Sequence, residues 1–133
     1  MYYCFVPFVA WFVAGTLKYL INRYRFGKAA HGYIGNGGFP SNHTTVVTTI
    51  TWLIGLREGF DSPVFGLGIA LIMIVIFDAT GLRKYVGQHA ENINLLTSES
   101  SAIKLRERIG HTKIEVAGGI VLGILLGYII YLL

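Results

Sequence analysis

Charge is scarce in this sequence: only 14% of its 133 residues are Asp, Glu, Lys or Arg. A water-soluble domain usually carries about 25%. Set against 53% hydrophobic residues, that deficit excludes an ordinary soluble enzyme and points to a chain solvated by lipid. Cysteine is nearly missing as well. Cys4 stands alone, so no intrachain disulfide can form, and it reads as a lipid-facing or packed side chain. The amino terminus lacks the basic start and small-residue cleavage site of a secretory signal, so the first apolar stretch is expected to remain as a span. Acidic residues number seven against eleven Lys and Arg, a net charge of +4. No soluble domain presents that surplus; the cations flank apolar runs, which argues against a nucleic-acid partner.

What is abundant is apolar sequence, in four stretches. Tyr2 to Ile21 is apolar until Lys18. Thr44 to Leu56 is shorter and rich in threonine. Pro63 to Phe77 is almost purely apolar and runs on through Asp78 to Leu82. Ile114 to Leu133 is broken only by Glu115. A helical span needs about 20 residues. The first and fourth stretches meet that length and the third comes close. The second either extends toward Ser41 and Gly59 or begins inside the membrane. The expected fold is all-α, a polytopic membrane bundle of about four transmembrane helices with interfacial amphipathic helices, forming one domain over residues 1–133.

Four spans put both ends of the chain on one side. Lys18, Arg23, Arg25, Lys28, Arg83, Lys84, Lys104, Arg106, Arg108 and Lys113 fall on or near the other side, and Arg57 alone falls with the termini. This bias predicts cytosolic loops and external termini, in the plasma membrane of a prokaryote. Tyr2, Tyr3, Trp52, Tyr128 and Tyr131 would then form an external aromatic belt, and Tyr19, Tyr24, Tyr33 and Tyr85 a cytosolic one.

The first cytosolic connection, residues 23 to 40, begins basic, passes Gly35, Gly37 and Gly38, and ends at Pro40. Ser41 suits the N-cap of the helix that follows. Arg57 to Ser62 predict a tight external turn, with Pro63 in the first turn of the next helix. In residues 86 to 110, Val86, Ile93, Leu96, Ile103, Leu105 and Ile109 alternate with polar groups. The pattern predicts one or two interfacial amphipathic helices broken near residues 97–101; a solvated connector is the alternative. Gly119, Gly123 and Gly127 form a small-residue seam on the last helix, for a neighbour in the monomer or for a homodimer.

Few polar residues remain to carry chemistry. His111 and Glu115 are four apart and share a helical face. A carboxylate on one ring nitrogen fixes the tautomer and makes the other a better base or nucleophile. The plainer alternative is a capped helix start with Glu115 paired to Lys113 or Arg108. Ser41 and His43 sit where a Gly-Gly-x-Pro turn enters a helix, an anion-binding end. There His43 can serve as general acid; the alternative is an ordinary serine cap beside an interfacial histidine. Lys18 and Arg25 are two helical turns apart and can share a face, although Lys18 can equally snorkel to the interface. Asp78 lies inside a membrane helix, where a carboxylate usually faces a site or a cation. Arg83, Lys84, His43 and Lys18 are its candidate partners. His31 and His89 read as interfacial. No tight ligand spacing supports a metal site among His43, His111, Asp78 and Glu115.

Together these motifs resemble the type 2 phosphatidic acid phosphatase and vanadium haloperoxidase superfamily, and more closely its small divergent membrane branch. Lys18 and Arg25 match the first motif, with Phe26 in place of its proline. Pro40-Ser41-Asn42-His43 matches the second, with Asn42 for glycine. His111 and Glu115 match the end of the third, with Glu for Asp. Leu105 stands at the third motif's arginine, with Arg106 and Arg108 nearby. The Asp-Ala-x-Gly-x-Arg segment from Asp78 to Arg83 is similar to the divergent branch.

The resemblance implies a metal-independent, cofactor-free phosphatase acting on a membrane lipid phosphate. His111 would be the nucleophile, Glu115 its support, and His43 the general acid, with Asp78 in or beside the site. Lys18, Arg25, Ser41, Asn42, Arg83, Lys84, Arg106 and Arg108 would bind the substrate. The expected substrate is a cytosolic head-group monoester, phosphatidylglycerophosphate or its archaeal ether analogue; phosphatidate and polyprenyl phosphates are also open. Two other classes compete: a transporter or proton-relay subunit using Asp78, and a non-catalytic lipid-binding protein.

Overall fold

A computed structural model describes residues 3–27, 38–97 and 103–133. Among them the structure is helical, without strands. A short 3₁₀ turn, Tyr3–Phe5, leads into α1, Val6–Phe26. Then come α2 (Asn42–Glu58), α3 (Pro63–Phe77), a π-helical step (Asp78–Leu82), α4 (Arg83–Leu96) and α5 (Lys113–Leu132). Three helical stretches, Tyr3–Arg25, Pro63–Leu96 and Lys113–Leu132, are long and apolar enough to cross a membrane. Their outer faces carry large exposed apolar side chains such as Phe8, Phe12, Leu67, Ile74, Leu125 and Ile129. The molecule is a helical membrane bundle.

The central helix is less apolar than α1, α3 and α5. α2 has 17 residues and packs against α1, α3 and α5. It extends at both ends beyond Thr44 to Leu56, reaching from the Ser41 cap to Gly59. Its buried positions include Thr44, Thr45, Thr48, Thr49 and Thr51. Burying a hydroxyl is costly unless it is hydrogen-bonded. Here Thr45, Thr49 and Thr51 donate to the carbonyls of Ser41, Thr45 and Val47 at 2.9, 2.8 and 2.7 Å. The helix satisfies these three hydroxyls itself, whereas the buried Thr48 hydroxyl has no hydrogen-bond partner among the described residues.

The glycine seam on α5 receives α2 of the same chain. A Cβ at Gly119 would stand 2.8 Å from the Ser41 carbonyl, one at Gly123 2.6 Å from Thr48 Cβ, and one at Gly127 2.9 Å from the Thr49 carbonyl. Both sequences advance together along this contact, so α2 and α5 run parallel and begin at the same end. Of the two uses expected of the seam, packing within the monomer is the one observed, and a homodimer would have to use another surface. At the opposite end Tyr3 donates to Glu58 Oε1 at 2.9 Å, tying the start of α1 to the end of α2.

The connections differ from expectation in one respect. The turn at 59–62 is present, with Ser62 capping α3 and Pro63 in its first turn. Of the one or two amphipathic helices expected over residues 86–110, one is present: α4 is amphipathic, and it continues from α3 as one helical stretch to Leu96. Residues 103–109 then return along α4 as an irregular strap instead of a helix. Asn94 holds the strap by mimicking a peptide: its Nδ2 donates to the Leu105 carbonyl and its Oδ1 accepts from the Leu105 N–H, both at 2.7 Å. Gly87 allows the approach, since a Cβ there would meet the Glu107 carbonyl at 2.3 Å. The expected break near residues 97–101, the cation Lys28, and Tyr2, His31, Tyr33, Gly35 and Gly37 lie wholly or mostly outside the described residues. His89 is exposed on α4.

Candidate active site

The two helix starts that carry the histidine motifs are fastened to each other. The Ser41 N–H donates to the Glu115 carbonyl at 2.9 Å. Ser41 is fully buried, and its side chain caps α2, accepting from the Thr44 N–H at 3.4 Å and bonding the Thr44 hydroxyl at 2.9 Å. It is a structural cap here, and the structure does not bring it into the cavity described below, contrary to its expected place among the phosphate ligands.

At the start of α5, Thr112 and Glu115 form a capping box. Glu115 Oε2 accepts from the Thr112 N–H and lies 3.0 Å from His111 Nδ1. The salt bridge to Lys113 or Arg108 is therefore not its arrangement. An ionised carboxylate only accepts, so Nδ1 carries the proton and neutral His111 keeps its lone pair on Nε2. The His111 side chain is 8% exposed. Burial pushes its pKa below the ordinary 6.5, opposed by the Glu115 hydrogen bond and assisted by the positive charge of Lys18.

The π step positions a third element. In it the Arg83 N–H reaches back to the Asp78 carbonyl, five residues away. An α-helix would have spent that N–H on Ala79. The Ala79 carbonyl instead accepts the His111 N–H at 2.9 Å, which moors the backbone of the histidine. Gly110 makes the mooring possible: its φ is +102°, and a Cβ would press on the Ala79 carbonyl at 3.0 Å. The wider turn also sets Arg83 beside Asp78, and their side chains form an ion pair.

These elements enclose a cavity of about 290 Å³ lined by Lys18, Asn42, His43, Arg83, Arg106, Arg108, Ile109, Gly110 and His111. Both imidazoles reach it, and among the described residues four cations and no carboxylate line it. Asp78 stands one layer back, behind Arg83. Lys84 lines a smaller adjoining cavity of about 220 Å³ together with Arg108, His111 and Glu115. Arg25 is exposed in the last turn of α1 and is not among the lining residues. Phe26, in the register of the first motif's proline, has no described side chain. Among the described residues, no group of three or more His, Cys, Asp or Glu side chains is arranged to hold a metal ion.

Sequence reasoning missed Gly110, Gly87 and Asn94 as positioning residues. Only a glycine before His111 and an asparagine within α4 hinted at them. The chemistry the arrangement allows is that of a cationic, partly desolvated anion site with one histidine at each of two neighbouring helix starts.

The model of the Divergent PAP2 family matches residues 2–126. The uncharacterized membrane protein YuiD of Bacillus subtilis (strain 168) is 35% identical over 107 residues, covering 68% of this chain and 68% of that protein. No solved structure matches significantly.

Proposed function

This chain belongs to the Divergent PAP2 family, and on that footing we propose that it is a membrane lipid-phosphate phosphatase working through a phosphohistidine. The observation that carries the proposal is the meeting of His43 and His111 in one cation-lined cavity. In this reading Nε2 of His111 attacks phosphorus and the bond to the lipid alcohol breaks. His43 gives that alcohol its proton. Water, deprotonated by His43, then attacks the phosphohistidine and releases phosphate. Lys18, Arg83, Arg106 and Arg108 offset the charge on the phosphoryl oxygens, where preorganised cations act most strongly on the transition state. Arg106 and Arg108 take the place of the arginine missing at Leu105.

The substrate proposed is a head-group monoester of the phosphatidylglycerophosphate type, met on the cytosolic face. The clustering of cations around the site end supports that sidedness. The pairing of Asp78 with Arg83 supports a phosphatase over a transporter, because it gives that carboxylate a task at the anion site. The test is phosphate release from lipid monoesters by the purified protein, beside His43→Ala and His111→Ala. Loss with either substitution, and inhibition by vanadate, are expected. Activity that survives both substitutions would overturn the mechanism.

A further inference from the structure

The cationic cavity shares lining residues with an apolar crevice. α1 and α3 both pack on α2 but leave a gap between them, floored by Val46 and Val47 and walled by Phe8 and Val75. This lower lobe measures about 530 Å³. A second lobe of about 480 Å³ runs along α1 past Gly15 and Thr16. Trp11 and Asn42 line both lobes. Each lobe also shares residues with the cationic cavity: Asn42 and His43 for the lower one, Lys18 and Asn42 for the upper. Two apolar channels thus converge on one anion site, with the exposed Trp11 ring as their common wall.

Resting on the phosphatase reading, we propose that the crevice holds the two hydrocarbon chains of a lipid whose phosphate occupies the cationic cavity. The substrate enters sideways from the bilayer between α1 and α3, and the two lobes favour double-chain lipids over single-chain polyprenyl phosphates. Continuity and complementarity support this occupant: one end of the space is cationic, and both lobes have mainly apolar walls that face the membrane.

The experiment compares phosphate release from a diacylglycerol phosphate, its one-chain counterpart and glycerol phosphate, in the same neutral micelles. Val47→Trp and Thr16→Trp each fill one lobe. Each is expected to lower the ratio of kcat/KM for the two-chain lipid to that for glycerol phosphate by about tenfold. The one-chain lipid is expected to suffer from only one of them. An unchanged ratio in both variants overturns the proposal. In parallel, a photoactivatable diacylglycerol phosphonate is expected to label α1 and α3 of the native protein. Labelling elsewhere, or equal labelling by a phosphate-free diacylglycerol probe, overturns it too. If no substrate releases phosphate, the phosphatase reading has failed and the labelling pattern alone decides the crevice.

Discussion

The backbone N–H of Ser41 donates to the carbonyl of Glu115 at 2.9 Å, and this one bond joins the two motifs that the sequence separates by some seventy residues. Because α2 and α5 run parallel, their first turns meet, and His43 and His111 arrive at the same cavity from neighbouring helix starts. Fixed geometry of this kind is what a two-histidine mechanism needs, since misplacement of reacting groups is costly.

The acid limb of the pH profile is expected to lie below the ordinary histidine value. In the proposed mechanism His111 attacks only when neutral, and burial lowers its pKa, so it stays unprotonated to lower pH than a free imidazole. Glu115 favours the charged form. Glu115→Gln is therefore expected to move the limb further down while slowing turnover roughly tenfold or more. Lys18 disfavours the charged form, so Lys18→Met is expected to move the limb up. Rate profiles against pH check both signs. A limb that stays in place in both variants counts against His111 as the titrating nucleophile.

Arg83 and Asp78 are expected to behave as one unit. Removing a charge-assisted hydrogen bond costs roughly 1.5–3 kcal/mol, so Arg83→Ala is expected to weaken kcat/KM by about tenfold to a hundredfold. Asp78→Ala is expected to weaken it less, by freeing Arg83 from its set position. In the Arg83→Ala background the second substitution is expected to add almost nothing, and a double-mutant cycle measures this. Full additivity would show that Asp78 acts on something other than Arg83.

The seam predicts a sharp contrast between glycines. A side chain at Gly123 must displace Thr48 or the Thr45 carbonyl, whereas a Cβ at Gly66 meets open space. Gly123→Val is expected to destabilise the bundle by about 1–3 kcal/mol. Gly66→Ala is expected to be neutral or slightly stabilising. Reversible unfolding in mixed micelles reads both.

The strap is expected to loosen when Asn94 loses its amide. Asn94→Leu removes both bonds to Leu105. Proteolysis within residues 103–109 should accelerate in this variant, and KM should rise as Arg106 and Arg108 lose their anchorage. Unaltered cleavage would mean that contacts other than Asn94 hold the segment.

The helical bundle and its motif order were legible in the sequence, because apolar runs of membrane length and capping residues such as Ser41 and Ser62 are local signals. The shared cavity of the two histidines was inferred from resemblance, and the geometry now supports it. The π step was not legible: a widened turn needs no distinctive residue, and Asp78 to Leu82 reads as ordinary helix. The cap at Ser41 was legible, but its distance from the cavity was not: a cap and an anion ligand present the same hydroxyl, and only burial separates them. The strap was misread because the alternation of Ile103, Leu105 and Ile109 fits an amphipathic element. Its true shape depends on Asn94 and Gly87, which are distant in sequence. The direction of the glycine seam depends on which helix runs parallel to α5, and no local pattern encodes that.

The brevity of α2 has a consequence for the surrounding bilayer. Seventeen residues rise about 25 Å, against a hydrocarbon layer of about 30 Å. With the far end of α2 at one membrane boundary, the proposed site floor at Asn42 and His43 would lie below the other. A phosphate would reach it only where the leaflet thins locally or the head group sinks. The proposed turnover would then depend on acyl length in the host membrane, independently of the substrate's own chains, and fall in thicker bilayers.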